Sequence, residues 1–250
     1  GYLTSDMSQV GNYEQSQKIL KLSYTLITSL GTVMTPRIAS VLSNNNKEKV
    51  EEYLAKSINF VFFLGIPLTL GVMSVAKTLV PWFLGEEFSL SVSILMTGSL
   101  LIIAKGFTDV AGVQYLIPSR NQAIFTKSVV TGAILNVVLN FILIPICGAI
   151  GAIIASVIAE VAIAIVQYYY VKKQINIQIF TKVYLKYIVS GVLMFLTVYV
   201  MGIFMETTII TTILQICVGG IIYIGSLLIM KDKFLCERLD KILRTLKIKK

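Results

Sequence analysis

GAILNVVLNFILIPICGAIGAIIASVIAE, residues 132–160, contains one charged side chain, Glu160, at its last position. A surface helix of a water-soluble domain would show a polar face along such a length, and this run shows none. It does not alternate apolar and polar residues either, as the strands of a membrane barrel do. Crossing a hydrocarbon core of about 30 Å takes about 20 apolar residues in a helix. The run therefore reads as parts of two membrane spans, at about 122–146 and 148–171, joined by a short turn over Pro145 to Gly148.

Working outward, five more windows of that length appear, at about 19–42, 57–76, 89–116, 183–205 and 207–230. The whole chain of 250 residues is 56% hydrophobic and 14% charged, against roughly 25% charged in soluble domains. Its mean hydropathy is +0.80. The expected fold is all-α, a polytopic bundle of about seven transmembrane helices. Gly65, Pro67, Gly98 and Gly191 fall inside the windows, and membrane helices tolerate such residues. The chain opens on Gly1 rather than Met, which suggests a fragment or a processed piece.

The net charge of +9 is distributed by loop. Eighteen of the 22 Lys and Arg lie on one side of the spans, among them Arg37, Lys47, Lys49, Lys56, Arg120, Lys127 and the tail from Lys231. The opposite loops, such as Gly85-Glu86-Glu87, are short and neutral or acidic. By the positive-inside rule the basic side is cytoplasmic. The charge thus reports topology and attraction to anionic lipid, and no nucleic-acid partner is expected. Trp82 reads as an interfacial anchor on the outer side. The tail at 231–250 spaces apolar and basic residues as an amphipathic helix on the inner surface would.

There is no histidine, which excludes a Ser-His-Asp triad, an HExxH zinc site and His-based acid–base chemistry. Cys147, Cys217 and Cys236 share no metal-ligand spacing. No catalytic residue, metal or cofactor is expected, and the chain does not read as an enzyme.

The polar residues inside the spans carry the functional reading. Lys105 and Asp109, in LIIAKGFTDVAGVQYLI (101–117), stand four apart, roughly 5 and 10 Å from the midplane at 1.5 Å per residue. Each costs on the order of 3 kcal/mol against lipid, so their shared face should look into the bundle or into water, and at i, i+4 they can pair, although Lys before Asp is the poorer order. Glu160 lies near the centre of its span, and Asn136 and Asn140 form another i, i+4 polar face. These groups fit either a structural seam of hydrogen bonds between helices or a hydrated pathway in which Lys105 attracts anions.

VGNYEQSQKI (10–19) followed by SLGTVMTPRIA (29–39) resembles the bacterial polysaccharide repeat-unit flippases, a branch of the multidrug/oligosaccharidyl-lipid/polysaccharide exporter superfamily. GVQYLIPSRNQ (112–122) and the 132–160 run resemble the C-terminal half of the same family. The resemblance implies a C-terminal lobe over 1–171, a terminal helix pair over 172–230 and a cytoplasmic tail over 231–250, with a missing N-terminal lobe completing an alternating-access cavity. It implies a flippase moving undecaprenyl-pyrophosphate-linked oligosaccharide across the bacterial cytoplasmic membrane for capsule or O-antigen assembly, alongside a polysaccharide polymerase and chain-length machinery. The expected substrate pathway comprises Lys105, Asp109, Asn136, Asn140, Arg37 and Gln114, with Glu160 or Asp109 taking a coupling ion. A cation-coupled drug exporter of the superfamily, whose cavity would favour carboxylates without a lysine, and a non-transporting structural subunit are the competing readings.

The orientation is directly measurable. Single cysteines replacing Asn45 or Ser119 should react with membrane-impermeant maleimide only from the cytoplasmic side, and one replacing Glu86 only from outside. Outside labelling at position 45 would invert the topology.

Overall fold

The computed structural model describes residues 7–175, 184–232 and 234–236. Every regular element among them is helical: α1 (Met7–Ser43), α2 (Lys47–Phe83), a 3₁₀ turn (Glu86–Phe88), α3 (Ser89–Gly98), α4 (Leu100–Thr108), a π-helical segment (Asp109–Leu116), α5 (Gln122–Val171), α6 (Tyr184–Phe204) and α7 (Ile209–Ile229). Five helices are long and apolar enough to cross a membrane, and the pair Glu86–Gly98 and Leu100–Leu116, bent by 42°, makes a sixth. The 50-residue α5 is two arms meeting at Gly148, where φ is 57° and ψ −134°. Only glycine adopts that backbone cheaply. The arms fold back on each other so closely that a Cβ on Gly151 would meet the Leu143 carbonyl and one on Gly132 would meet Ile163. Each arm can cross the hydrocarbon once, giving the seven spans that the hydropathy indicates. The expected tail at 231–250 lies largely outside the described residues.

Two apolar cores organise the helices. The larger gathers Leu20, Ile38, Leu54, Ile102, Leu116 and Ile153 from α1 to α5. The smaller sets Tyr187, Met194, Val198, Tyr223 and Leu227 of α6 and α7 against Ile66 and Val75 of α2. α2 therefore serves both, and its polar groups explain how. Pro67 sits inside α2 and has no N–H to give the carbonyl four residues back, which belongs to Phe63. The Tyr223 hydroxyl donates to that carbonyl at 2.8 Å, satisfying an acceptor that lipid would leave bare. Toward the other end, Thr78 donates to Gln215 Oε1 at 2.5 Å while Gln215 Nε2 donates to the Val198 carbonyl at 3.0 Å. Trp82, half-buried, donates its indole N–H to Thr212 Oγ1 at 2.8 Å, so it ties α2 to α7.

Tyr223→Phe keeps the ring and removes the donor for Phe63. An unsatisfied buried acceptor costs about 1–3 kcal/mol, so the variant should unfold at a lower temperature in detergent than the parent. Equal midpoints would mean the Phe63 carbonyl finds another donor.

Candidate functional site

The polar groups inside the spans collect in two cavities along α1 and the α5 hairpin. The first, of about 360 Å³, is lined by Tyr24 and Thr28 of α1, Lys105 and Thr108 of α4, Asp109 of the π segment and Glu160 of the second α5 arm. Lys105 Nζ donates to Glu160 Oε2 at 2.7 Å, and Thr108 Oγ1 donates to Glu160 Oε1 at 2.6 Å. The ammonium also lies 5.6 Å from the Tyr24 ring centroid, within range of a cation–π attraction. Lys105 keeps 34% of its side chain accessible and Glu160 12%.

Lys105 does not take the i, i+4 pairing open to it with Asp109. Asp109 begins the π-helical segment, whose wider turn brings i and i+5 into register rather than i and i+4. Gln114, five residues on, donates to Asp109 Oδ2 at 2.8 Å, and the Ile117 N–H reaches the Gly112 carbonyl at 3.1 Å in the same i+5 pattern. Asp109 also leans on α1 at Gly31, where a Cβ would lie 2.6 Å from its carboxylate. The aspartate thus turns toward α1, leaving Lys105 to the α5 carboxylate. Gln114 is 1% exposed and meets the cavity through Asp109.

The second cavity, of about 270 Å³, lies at the turn end of the α5 hairpin and is lined by Gln9, Tyr13, Asn136, Asn140, Gly148 and Ser156 among others. Asn140 Nδ2 donates to Asn136 Oδ1 at 3.0 Å, Asn136 Nδ2 to Ser156 Oγ at 3.4 Å, and Ser156 Oγ to the Ala152 carbonyl at 3.0 Å. Gln9 Oε1 accepts the Ala149 N–H at 3.0 Å, closing the turn that Gly148 starts. No formal charge lines this cavity. Its amides and hydroxyls form a seam between the arms and a hydrogen-bonding wall toward the open space.

Arg37 joins neither cavity. It is exposed, and thirteen residues beyond Tyr24 it points roughly 140° round α1 from the cavity face. The structure thus groups Lys105, Asp109, Gln114 and Glu160, sets Asn136 and Asn140 apart, and leaves Arg37 outside. Tyr24, Thr28, Thr108 and Gln167 also line the first cavity and are missing from the expected set. For Tyr24 and Thr28 the signal is a stripe along α1, Gln9, Tyr13, Gln17, Lys21, Tyr24 and Thr28, whose spacing of three or four keeps polar groups on one helix face; Thr108 and Gln167 carry no such signal.

Comparisons with known proteins agree with the resemblance in the sequence. Residues 3–93 match the family described as polysaccharide biosynthesis protein. A Haloferax volcanii protein described as a probable low-salt glycan biosynthesis flippase, Agl15, is 24% identical over 142 residues, which are 55% of this chain and 29% of that protein. A Shigella dysenteriae protein described as an O-antigen transporter is 25% identical over 140 residues, 56% of this chain and 34% of that protein. The solved lipid II flippase MurJ in its inward closed conformation superposes with a TM-score of 0.74 at 17% identity, over 90% of this chain and 48% of MurJ. The matches to the two curated relatives span about a third of each, and the chain covers about half of the solved flippase. The chain is a multi-pass membrane protein with the fold of the solved flippase MurJ, and part of it is similar in sequence to proteins described as a glycan biosynthesis flippase and an O-antigen transporter.

A double-mutant cycle separates the two pairings of Lys105. Thermal unfolding of Lys105→Ala, Glu160→Ala and the double variant should give a coupling of about 1–3 kcal/mol, as groups in direct contact do. The same cycle with Asp109→Ala should give a coupling several-fold smaller. The reverse order would restore the i, i+4 pair.

Proposed function

We propose that this chain forms the C-terminal half of a flippase that carries undecaprenyl-pyrophosphate-linked oligosaccharide repeat units across the bacterial cytoplasmic membrane, for capsule or O-antigen assembly. The observation that carries the reading is Lys105: an ammonium deep in a span, one third accessible, facing a cavity in a chain with the fold of a lipid II flippase. A charged group at that depth is costly unless it has a task or a partner, and Glu160 occupies only one of its three donors. An ammonium of this kind suits a pyrophosphate, whose oxygens accept charge-assisted hydrogen bonds.

The second cavity suits the sugars. Asn136, Asn140 and Ser156 offer both donors and acceptors without charge, and Tyr13 adds an aromatic ring of the kind on which a pyranose face packs. Asn140 Oδ1 is buried and unpartnered, so the wall retains acceptor capacity. The polyprenyl tail stays in lipid, beside the terminal helices. Asp109 or Glu160 takes a coupling ion, and a further lobe of similar build supplies the opposite wall. The C-terminus is cytoplasmic, as the basic loops require.

Export by the full-length protein tests the role of Lys105. Lys105→Arg should complement polysaccharide export in a flippase-deficient strain far better than Lys105→Gln, because positive charge is what a phosphate needs. Membrane abundance of each variant is measured alongside. Wild-type export by an abundant Lys105→Gln protein would remove the lysine from the substrate pathway.

A further inference from the structure

Glu160 is held in an unusual way for a carboxylate that belongs to a different helix from its partners. Its two oxygens each accept one strong hydrogen bond, Oε2 from Lys105 Nζ at 2.7 Å and Oε1 from Thr108 Oγ1 at 2.6 Å. Both donors come from α4, three residues apart, and so share one face of that helix. Glu160 reaches them from the second arm of α5. The donors therefore form a fixed pair, and the acceptor is a tethered visitor. Two oxygens on one centre are also what a phosphate presents, at a similar separation and with more charge.

We infer that Lys105 and Thr108 form a two-donor oxyanion cradle in which Glu160 stands in for a substrate phosphate, and that substrate enters by displacing it. This rests on the reading of the chain as a carrier of pyrophosphate-linked lipid and adds Thr108 and a resident competitor to it. The cavity beside the cradle, about 360 Å³, leaves space for the incoming group. Tyr24 lies over the ammonium at 5.6 Å and can stay in place during the exchange. Asp109 does not take the vacated role, because Gln114 and the Gly31 contact hold it toward α1. Displacement leaves Glu160 without its cation in a site that is 12% exposed for that side chain. A carboxylate so placed lacks a counter-charge, and a small cation entering the cavity would supply one, linking substrate entry to ion uptake. The charged and titratable groups facing Glu160 are Lys105, Asp109 and Tyr24.

The test is equilibrium binding to the purified full-length protein in nanodiscs, with geranyl pyrophosphate as the lipid probe and inorganic pyrophosphate as the headgroup alone. Glu160→Gln removes the competing charge and should bind geranyl pyrophosphate at least tenfold more tightly than the parent. Glu160→Asp should stay within about threefold of the parent, and Thr108→Val should weaken binding in the Glu160→Gln background. Inorganic pyrophosphate should follow the same order more weakly, since it lacks the lipid. Unfolding midpoints of all variants establish that each is folded. Binding by the parent with equal or weaker binding by folded Glu160→Gln would overturn the displacement and leave the carrier reading in place. Absence of pyrophosphate binding in both would overturn the carrier reading and the cradle together.

Discussion

Lipid supplies no hydrogen bonds, and this one constraint shapes most of what the helices do. Where Pro67 interrupts the α2 ladder, a tyrosine from α7 crosses to the stranded Phe63 carbonyl. Where the third span widens into a π turn, Gln114 crosses that turn to Asp109. Where α5 reverses at Gly148, the Gln9 amide oxygen takes the first free N–H of the returning arm. In each place an irregularity of the backbone is met by a side chain from a neighbouring turn or helix. The helices are thereby fixed in register by polar groups, while the apolar cores supply the bulk of the packing.

The same constraint decides how the charges are arranged. Lys105 and Glu160 sit on different helices and neutralise one another with help from Thr108. A buried pair of this kind adds little net stability, because desolvation offsets the attraction. The neutral amide wall around Asn136 and Asn140 lies toward the turn end of the hairpin, separate from the charged cavity. Charge is thus confined to one station and neutral hydrogen bonding to another.

Much of the fold was legible in the sequence. The seven apolar windows and the hairpin break near Gly148 have counterparts in the helices, because hydrocarbon thickness and backbone satisfaction act on local sequence; the bend and π turn of the third span were not legible. The candidate site was legible only in part. Lys105, Asp109 and Glu160 stand out as charges in apolar runs, whereas Tyr24, Thr28 and Thr108 are common residues whose meaning depends on which face they occupy. Arg37, placed in the pathway by the family resemblance, is exposed on a face of α1 away from both cavities.

What the sequence by itself determined was the class of the molecule: its spans, the basic side of the membrane, and the identity of the few side chains too costly to place in lipid without a reason. What only the tertiary structure decided was their pairing. Local spacing allowed Lys105 with Asp109, but the energy of a buried charge depends on the nearest opposite charge in space. A π turn at Asp109 and the bare backbone of Gly31 draw the aspartate toward α1. The fold-back of α5, 55 residues further along the chain, brings Glu160 to the lysine instead.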